Sequence, residues 1–247
     1  MLYSKSKKTQ MQNNQNTCLF YLKINSSISQ QINQNWNLLS PERKAQIKRV
    51  APGQRTVLIG SELIVRILAC NHLSINNSEI VFGQNSYGKP YIIGYPNFQF
   101  NVSHSENLLV VLVSDQAVGV DVEKIRNPNI QIVNRFFTEN EKDYVLSNPS
   151  LTTKRFYEIW TRKEAYVKYL GKGLSHPLLS FDVLKELGDN FFTFELDQYI
   201  ISAFSDNKVI PPYPIKQILE DELIMALASL NKDQKQTIVS GSPLLDI

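Results

Sequence analysis

The sequence predicts a mixed α/β (α+β) fold made of two halves, each with helices followed by strands. The apolar run Leu108–Val113 is followed, after a short turn, by the alternating stretch Ala117–Lys124, a succession typical of a strand hairpin. Apolar residues recur at helical spacing over Gln54–His72 and over Leu151–Leu170. The turn at residues 114–116 is the predicted boundary, which gives halves of residues 18–115 and 116–247.

The first half is predicted to alternate short strands with two helices. Ser40 and Pro41 are typical of a helix N-cap and first turn, and they open a helix rich in basic residues. The remaining elements are a strand at Cys18–Ile24, the helix Gln54–His72, a turn at Tyr87–Tyr91 and a strand at Phe98–Ser103.

The second half is predicted to place three helices before its last strands. Thr138 with Glu141 three residues later forms a capping-box pattern, and Gly171 is typical of a helix end. The predicted helices are Ile130–Phe137, Thr138–Leu146 and Leu151–Leu170, and the predicted strands are Phe181–Leu184, Phe191–Leu196, Tyr199–Phe204 and Leu223–Leu230, the last of which fits a helix equally well.

Composition favours an ordinary globular protein, with 43% hydrophobic and 20% charged residues among 247. The net charge of +3 provides no general polycation, so neither nucleic acid nor a membrane is an expected partner. Cys18 and Cys70 form no disulfide or zinc framework, which fits a reducing compartment, and cytoplasm is the expected location. Residues 1–17 are polar and are predicted to be a disordered leader.

Asp121 and Glu123 lie on one face of a predicted strand, because strand side chains alternate between faces. Two carboxylates roughly 6 to 7 Å apart repel each other unless a cation lies beside them, and a hard divalent metal would fit. Gly119 on the same face would leave room for a phosphate to approach the backbone. The alternative is an edge strand whose acids face water.

A charged pair, Lys163 and Glu164, interrupts the apolar stripe of the helix Leu151–Leu170. Glu164 and Lys168 are spaced i, i+4, so an intrahelical salt bridge is one explanation. An acid at an otherwise apolar position needs a partner, and the strand carboxylates with a metal would supply one.

Several side chains are candidates for binding an anion. Arg55 and Thr56 begin a predicted helix, where free N–H groups and the helix dipole favour negative charge, although simple capping explains them equally well. Lys89 lies in a turn beside a glycine, where a lysine can reach a phosphate. His104 lies between Ser103 and Ser105, directly after a strand, where loops present functional groups. Solvation of the lysine and a structural role for the histidine are the alternatives.

Four motifs in order and spacing closely resemble the 4′-phosphopantetheinyl transferases of the surfactin-synthetase-activating type. The motifs are Gly88-Lys89-Pro90, Phe100–Ser105 (Phe-Asn-Val-Ser-His-Ser), Gly119–Glu123 (Gly-Val-Asp-Val-Glu) and Trp160–Lys168 with Gly171–Leu174. The likeness extends through most of residues 20–205. One departure is Gln46, where the resemblance leads us to expect a second phosphate-binding lysine.

The resemblance implies a monomeric pseudo-dimer of two similar halves, each a small antiparallel sheet with helices, and a coenzyme A site in the cleft between them. It implies transfer of 4′-phosphopantetheine from coenzyme A to a serine of an apo acyl or peptidyl carrier protein, with Mg²⁺ (or Mn²⁺) and release of 3′,5′-ADP. The metal ligands would be Asp121, Glu123 and Glu164, and the catalytic residues Glu164 and Lys168. The residues that would bind coenzyme A are Arg43, Arg55, Thr56, Tyr87, Gly88, Lys89, Ser103, His104, Asp121, Lys163 and Lys168.

Two other functions remain open from the residues. A Mg²⁺-dependent nuclease also uses a D-x-E pair with a later Glu and Lys, but the chain lacks the basic and aromatic stripe that a nucleic-acid backbone needs. A carrier-protein-binding module without activity is the third, and the intact acids and lysine argue against it.

Overall fold

A computed structural model describes residues 17–185, 187–206 and 214–240, with backbone only at 174 and 233–240. In chain order the helices are α1 Ser26–Gln34, α2 Pro41–Ile47, α3 Pro52–Leu73, α4 Ile130–Phe136, α5 Glu139–Leu146, α6 Thr152–Leu170 and α7 Glu220–Ser240. The strands are β1 Cys18–Lys23, β2 Phe82–Gln84, β3 Pro90–Ile92, β4 Gln99–Ser105, β5 Leu108–Ser114, β6 Val118–Lys124, β7 Phe191–Leu196, β8 Tyr199–Ser205 and β9 Ile215–Gln217.

The first sheet has the order β4-β5-β1-β9. Strand β5 is antiparallel to both of its neighbours, whereas β9 pairs with β1 in parallel. Every residue of β5 is buried, because Leu109 and Val111 face the core under the helices while Val110 and Leu112 face the second sheet. This two-sided burial explains the near-continuous apolar run in the sequence.

The second sheet has the order β6-β8-β7, and α6 packs against it. A core between the two sheets joins β1 and β5 to β6 and β8 through side chains such as Leu19, Val120 and Ile201. A third core, beneath α6, contains Phe156, Ile159 and Phe204. The second sheet is therefore buried on both faces, and its face toward α6 is the one that carries Asp121 and Glu123.

The prediction that β5 and β6 form a hairpin is wrong. Both edges of β5 are already paired, with β4 and with β1, so the chain leaves the first sheet after Ser114 and β6 pairs with β8 instead. The predicted strand at Phe181–Leu184 is also wrong, since its first two residues have no regular structure and Val183–Leu184 form a turn. The ambiguous segment Leu223–Leu230 is helical, within α7.

Other elements agree with the sequence. Ser40 caps α2 by accepting a hydrogen bond from the backbone N–H of Arg43, and Thr138 with Glu141 forms the expected capping box. Gly171 ends α6 with a φ of 63°, in the left-handed region that glycine adopts without strain. Helix α1 and the β2–β3 hairpin were not predicted.

The end of the chain returns to the first half. Strand β9 extends the first sheet, and Leu223, Leu227 and Leu230 of α7 join the core around α3. The predicted second half, residues 116–247, therefore includes two elements, β9 and α7, that pack with the first half. At the other end, Thr17 is buried and hydrogen-bonded to Ser114, so the predicted leader does not include it, while residues 1–16 lie outside the described residues.

Helix α3 is the one described helix long and apolar enough to cross a bilayer by length and composition, but 56% of its apolar window is buried inside the fold. Residues such as Leu63 and Ala69 are fully covered by the first core. Core burial therefore accounts for its composition.

Candidate active site

Strands β4 and β6 meet through side chains where the two halves join. Three alternate residues of β4, which share one face of the strand, accept hydrogen bonds from the backbone of β6. The three bonds join Val120 N to Asn101 Oδ1 (2.9 Å), Val122 N to Ser103 Oγ (3.3 Å) and Lys124 N to Ser105 Oγ (3.1 Å). These bonds take the place of a backbone ladder and fix the register of β6 against β4.

The same two serines orient the carboxylates of β6. Ser103 Oγ donates to Asp121 Oδ1 at 2.8 Å, and Ser105 Oγ donates to Glu123 Oε2 at 3.0 Å. Ser103 Oγ also accepts from Lys168 Nζ at 2.8 Å, which fills the one-donor, two-acceptor capacity of a hydroxyl. The Asn-Val-Ser-His-Ser motif is thus the device that holds both acids in place.

Gly119 lets helix α6 approach β6 closely enough to complete the site. A Cβ at this position would lie 2.0 Å from the carbonyl oxygen of Ala165 and 2.6 Å from the backbone nitrogen of Tyr169, closer than atoms can approach. The expectation that Gly119 makes room for a phosphate is therefore wrong, because the helix backbone fills that room. The close approach instead brings Glu164 and Lys168 to the same cavity as Asp121.

Asp121 is only half satisfied. Lys168 Nζ lies 2.7 Å from its Oδ1, while Oδ2 is buried and has no hydrogen-bond partner. An orphaned carboxylate oxygen costs free energy unless a ligand completes it, and a cation is the natural complement. The observed geometry therefore fits a metal ion at Oδ2.

The electrostatics of this cluster favour a bound cation as well. Burial, followed by repulsion from Asp121, raises the pKa of Glu164 and the pKa of Glu123. Burial and the nearby Lys168 ammonium lower the pKa of His104. A divalent ion would relieve the repulsion among the three carboxylates.

The acids line an open cavity of about 380 Å³. Its walls are Val102, Ser103, His104, Asp121, Glu123, Trp160, Glu164 and Lys168. Among the described residues, no three His, Cys, Asp or Glu side chains form a ready-made metal site. Mg²⁺ fits the carboxylate oxygens of Asp121, Glu123 and Glu164 even so, since this ion keeps several waters and shares its coordination with substrate phosphates.

A larger cavity of about 700 Å³ adjoins the first and shares Val102 and His104 with it. Arg43 lies in its wall, with Nη1 2.8 Å from Gln46 Oε1 and Nε 3.4 Å from Glu62 Oε2. The apolar part of its lining includes Leu58, Val65, Phe82 and Phe100. An acidic cavity therefore adjoins a larger one whose lining is mixed and partly apolar.

Sequence reasoning missed the buried group that holds Arg43. Glu62 accepts hydrogen bonds from the backbone N–H and the hydroxyl of Ser40, and Arg66 Nε lies 2.9 Å from its Oε1. Arg66 in turn donates to Asn77 Oδ1 at 2.9 Å. Glu62 and Arg66, spaced i, i+4 within the otherwise apolar helix α3, were the pattern from which this buried ion pair could have been predicted.

Arg55 and Thr56 line neither of these two cavities. Arg55 lines a separate cavity of about 370 Å³ with Trp36 and Lys48, and Thr56 Oγ1 exchanges hydrogen bonds with the side-chain amide of Asn33. Tyr87 and Gly88 lie on an exposed turn.

Lys163 and Lys89 are both held by protein groups. Lys163 is fully buried, with Nζ 2.8 Å from Glu141 Oε2 and hydrogen bonds to the carbonyls of Leu178 and Phe181, so the prediction that it binds coenzyme A is wrong. Lys89 Nζ donates to the backbone carbonyls of Val118 and Tyr169, and burial lowers its pKa to about 8.

Comparison with known proteins assigns both halves. Residues 117–218 match the family model of the 4′-phosphopantetheinyl transferase superfamily, and residues 26–117 match the model described as 4′-phosphopantetheinyl transferase, N-terminal. The chain is 32% identical over 170 residues to 4′-phosphopantetheinyl transferase Sfp of Bacillus subtilis strain 168, an overlap that covers 67% of this chain and 75% of Sfp. The chain belongs to the 4′-phosphopantetheinyl transferase superfamily.

Two further relatives in this superfamily show how far the likeness extends. A 4′-phosphopantetheinyl transferase of Bacillus subtilis is 41% identical over 133 residues, which is 53% of this chain and 59% of the relative. The L-aminoadipate-semialdehyde dehydrogenase-phosphopantetheinyl transferase of Mus musculus is 31% identical over 163 residues, 59% of this chain and 53% of the relative. The family predicted from the four motifs is confirmed, and the two family models meet at residue 117.

Proposed function

We propose that this protein transfers the 4′-phosphopantetheine group of coenzyme A to a serine hydroxyl of an apo acyl or peptidyl carrier protein and releases 3′,5′-ADP. Family membership supports the reaction class. The observation that carries the proposal is Asp121, which lines the smaller cavity, pairs with Lys168 through one oxygen and keeps the other oxygen buried without a hydrogen-bond partner.

Coenzyme A would extend along both cavities. The adenosine and 3′-phosphate would occupy the larger cavity beside Arg43 and His104, and the diphosphate would lie at the acidic end. Asp121, Glu123 and Glu164 would hold Mg²⁺ or Mn²⁺, which when bound neutralises the diphosphate. A cleft between the halves of a pseudo-dimer is part of the proposal. It is supported by the smaller cavity, which residues of both halves line, whereas the residues that line the larger cavity all belong to the first half.

The chain's own groups would then act on the reacting atoms. The serine oxygen attacks the β-phosphorus, the bond from that phosphorus to the bridging oxygen breaks, and 3′,5′-ADP departs with the bond electrons. Glu164, or a water that it orients, accepts the serine proton. Lys168 stabilises the charge that develops on the diphosphate oxygens.

The setting of the reaction is part of the proposal. We expect a cytoplasmic monomer with no nucleic-acid or membrane partner. Cys18 and Cys70 are partly exposed and form no disulfide, in keeping with a reducing compartment, and the net charge is only +3.

Mass spectrometry tests the proposal directly. An apo carrier protein incubated with coenzyme A, MgCl₂ and this protein should gain about 340 Da, the mass of one phosphopantetheine group attached to one serine. The gain should disappear with EDTA and with Asp121→Ala. No gain for any member of a panel of fatty-acid, polyketide and peptide carriers would contradict the proposal, and Mg²⁺-dependent nicking of DNA would replace it with a nuclease.

A further inference from the structure

The turn that connects β2 and β3 is held by hydrogen bonds within itself. Asn85 Oδ1 accepts hydrogen bonds from the backbone N–H groups of Tyr87 and Lys89, both at 2.9 Å. The backbone N–H of Asn85 donates to the carbonyl of Lys89 at 3.0 Å. The turn therefore presents the Lys89 side chain and the Asn85 amide in fixed directions.

Both side chains reach across to the second half. Lys89 Nζ donates to the carbonyls of Val118 (3.1 Å) and Tyr169 (3.0 Å), and Asn85 Nδ2 donates to the carbonyl of Gly171 (2.9 Å). A Cβ on Gly171 would lie 2.9 Å from Lys89 Cδ and 3.0 Å from Asn85 Nδ2. The turn thus fits against the end of α6 with no space to spare.

The contacted carbonyls lie at the ends of the two elements that carry the acidic cluster. Val118 begins β6, which bears Asp121 and Glu123, and Tyr169 is in the last turn of α6, which bears Glu164 and Lys168. The last carbonyls of a helix have no partner within the helix, and an ammonium there is favoured by the helix dipole. Lys89 satisfies one such carbonyl and ties it to the start of β6.

Lys89 does not face the cleft. It lines none of the three cavities described above, although Gly83, Gln84 and Pro90 from the same hairpin line the larger one. Its ammonium is desolvated, which is the reason for its lowered pKa. A lysine that bound a phosphate in the cleft would have to break both carbonyl contacts.

We infer that Lys89 is a positioning residue that holds β6 and α6 in catalytic alignment from the opposite half, rather than a ligand of coenzyme A. The inference rests on the proposed function for its kinetic consequence only. The Lys89 ammonium fixes the end of α6 relative to the start of β6, so Glu164 and Lys168 stay aligned with Asp121. Asn85 reinforces the same joint through Gly171.

Three variants test this role. Lys89→Met keeps the aliphatic stem and removes the ammonium, Lys89→Arg restores donors, and Lys154→Met removes an exposed lysine of α6 whose partner is Glu195. Without any ligand, Lys89→Met should speed hydrogen exchange at the amides of residues 167–171. In the transfer assay its kcat should fall about 10- to 100-fold, as expected for small misplacement of reacting groups, with KM for coenzyme A within about twofold of wild type.

The controls separate positioning from binding. Lys89→Arg should recover part of both effects, and Lys154→Met should show neither. A rise in KM for coenzyme A with unchanged kcat and unchanged exchange would overturn the inference and make Lys89 a phosphate ligand. If Lys89→Met does not fold, Asn85→Asp replaces it, because this variant keeps the acceptor within the turn and loses the donor to the Gly171 carbonyl. It should speed hydrogen exchange at the same amides. Unchanged exchange at those amides would overturn the inference. Wild-type protein without transfer activity would refute the proposed function alone, because the exchange measurement needs no substrate.

Discussion

Besides Lys154, which pairs with Glu195 at the surface, helix α6 carries two lysines that are each paired with a carboxylate, in surroundings that differ sharply. Lys163 and Glu141 are both fully buried, with 2.8 Å between Nζ and Oε2. Lys168 and Asp121 are 29% and 7% exposed, with 2.7 Å between Nζ and Oδ1. The two pairs have the same chemistry and nearly the same length, and yet only the second opens on a cavity.

The difference lies in how completely each pair is satisfied. Glu141 also accepts from the backbone N–H groups of Thr138 and Val183, and Lys163 also donates to two carbonyls, so the pair ties α5 and α6 to the segment before β7. Asp121 keeps one oxygen without a partner. We call the fully hydrogen-bonded Lys163–Glu141 pair closed and the Lys168–Asp121 pair open. The closed pair stabilises the fold, and the open pair is available to a ligand.

Removal of the open carboxylate should give the largest effect on activity. Asp121→Ala should lower kcat/KM by about 10³-fold or more, because it removes a proposed metal ligand and the partner of Lys168 together. The melting temperature without metal should not fall, since repulsion with Glu123 and Glu164 is relieved. The mass-shift assay and a thermal melt measure both, and near-wild-type turnover at low Mg²⁺ would show that Asp121 does not bind the metal.

Removal of the closed lysine should instead give the largest effect on stability. Lys163→Met should lower the free energy of unfolding by about 3–5 kcal/mol, because Glu141 would remain buried without a compensating charge. The kcat of the folded fraction should be preserved. Urea unfolding gives the loss, and the double variant Lys163→Met/Glu141→Gln, which removes the buried charge, should recover part of it. A loss of activity without a loss of stability would contradict the structural role.

Lys168 should behave as a catalytic group rather than a structural one. Lys168→Ala should lower kcat by about 10²-fold while KM for coenzyme A changes less, as expected for an interaction that strengthens in the transition state. The free energy of unfolding should change far less than for Lys163→Met, because Lys168 is partly exposed. Steady-state kinetics decide it, and an effect confined to KM would make Lys168 a binding residue only.

The smallest effect is expected at Gln46, which lines the larger cavity. Gln46→Lys should tighten coenzyme A binding up to about tenfold, since an added charge-assisted contact of about 1.5–3 kcal/mol is opposed by the nearby Arg43 guanidinium. Binding of 3′-dephospho-coenzyme A should stay nearly unchanged. Calorimetry with both ligands measures this, and equal gains would show that the lysine acts on the diphosphate. Lys44 is the alternative source of that charge. Its Nζ donates to the carbonyl of Asn37, and no gain for either ligand would indicate that Lys44 already contacts the 3′-phosphate.

Local patterns predicted the parts of the molecule that depend on local geometry. The two-residue period of β6 placed Asp121 and Glu123 on one face, and the 3.6-residue period of α6 placed Glu164 near the buried stripe. The cap at Ser40 and the capping box at Thr138 followed from single residues in fixed relation to a helix start.

Features that depend on distant partners could not be predicted in this way. The pairing of β6 with β8 follows from the occupied edges of β5, and the burial of Lys163 follows from Glu141, 22 positions earlier in the chain and on another helix. The requirement for glycine at position 119 arises from the backbone of α6, which packs against it. Helix α1 has two buried apolar residues, Ile28 and Ile32, among polar ones, too few to form a recognisable stripe.

The return of β9 and α7 to the first half determines when that half can be completed during synthesis. The ribosome makes residues 18–114 first, but the strand that covers the edge of β1 begins only at Ile215, and the leucines that cover α3 begin only at Leu223. The whole second half is therefore synthesised while one edge strand of the first sheet is still open. A chain that stopped after β8 would expose that edge together with part of the apolar surface of α3, a combination that promotes aggregation.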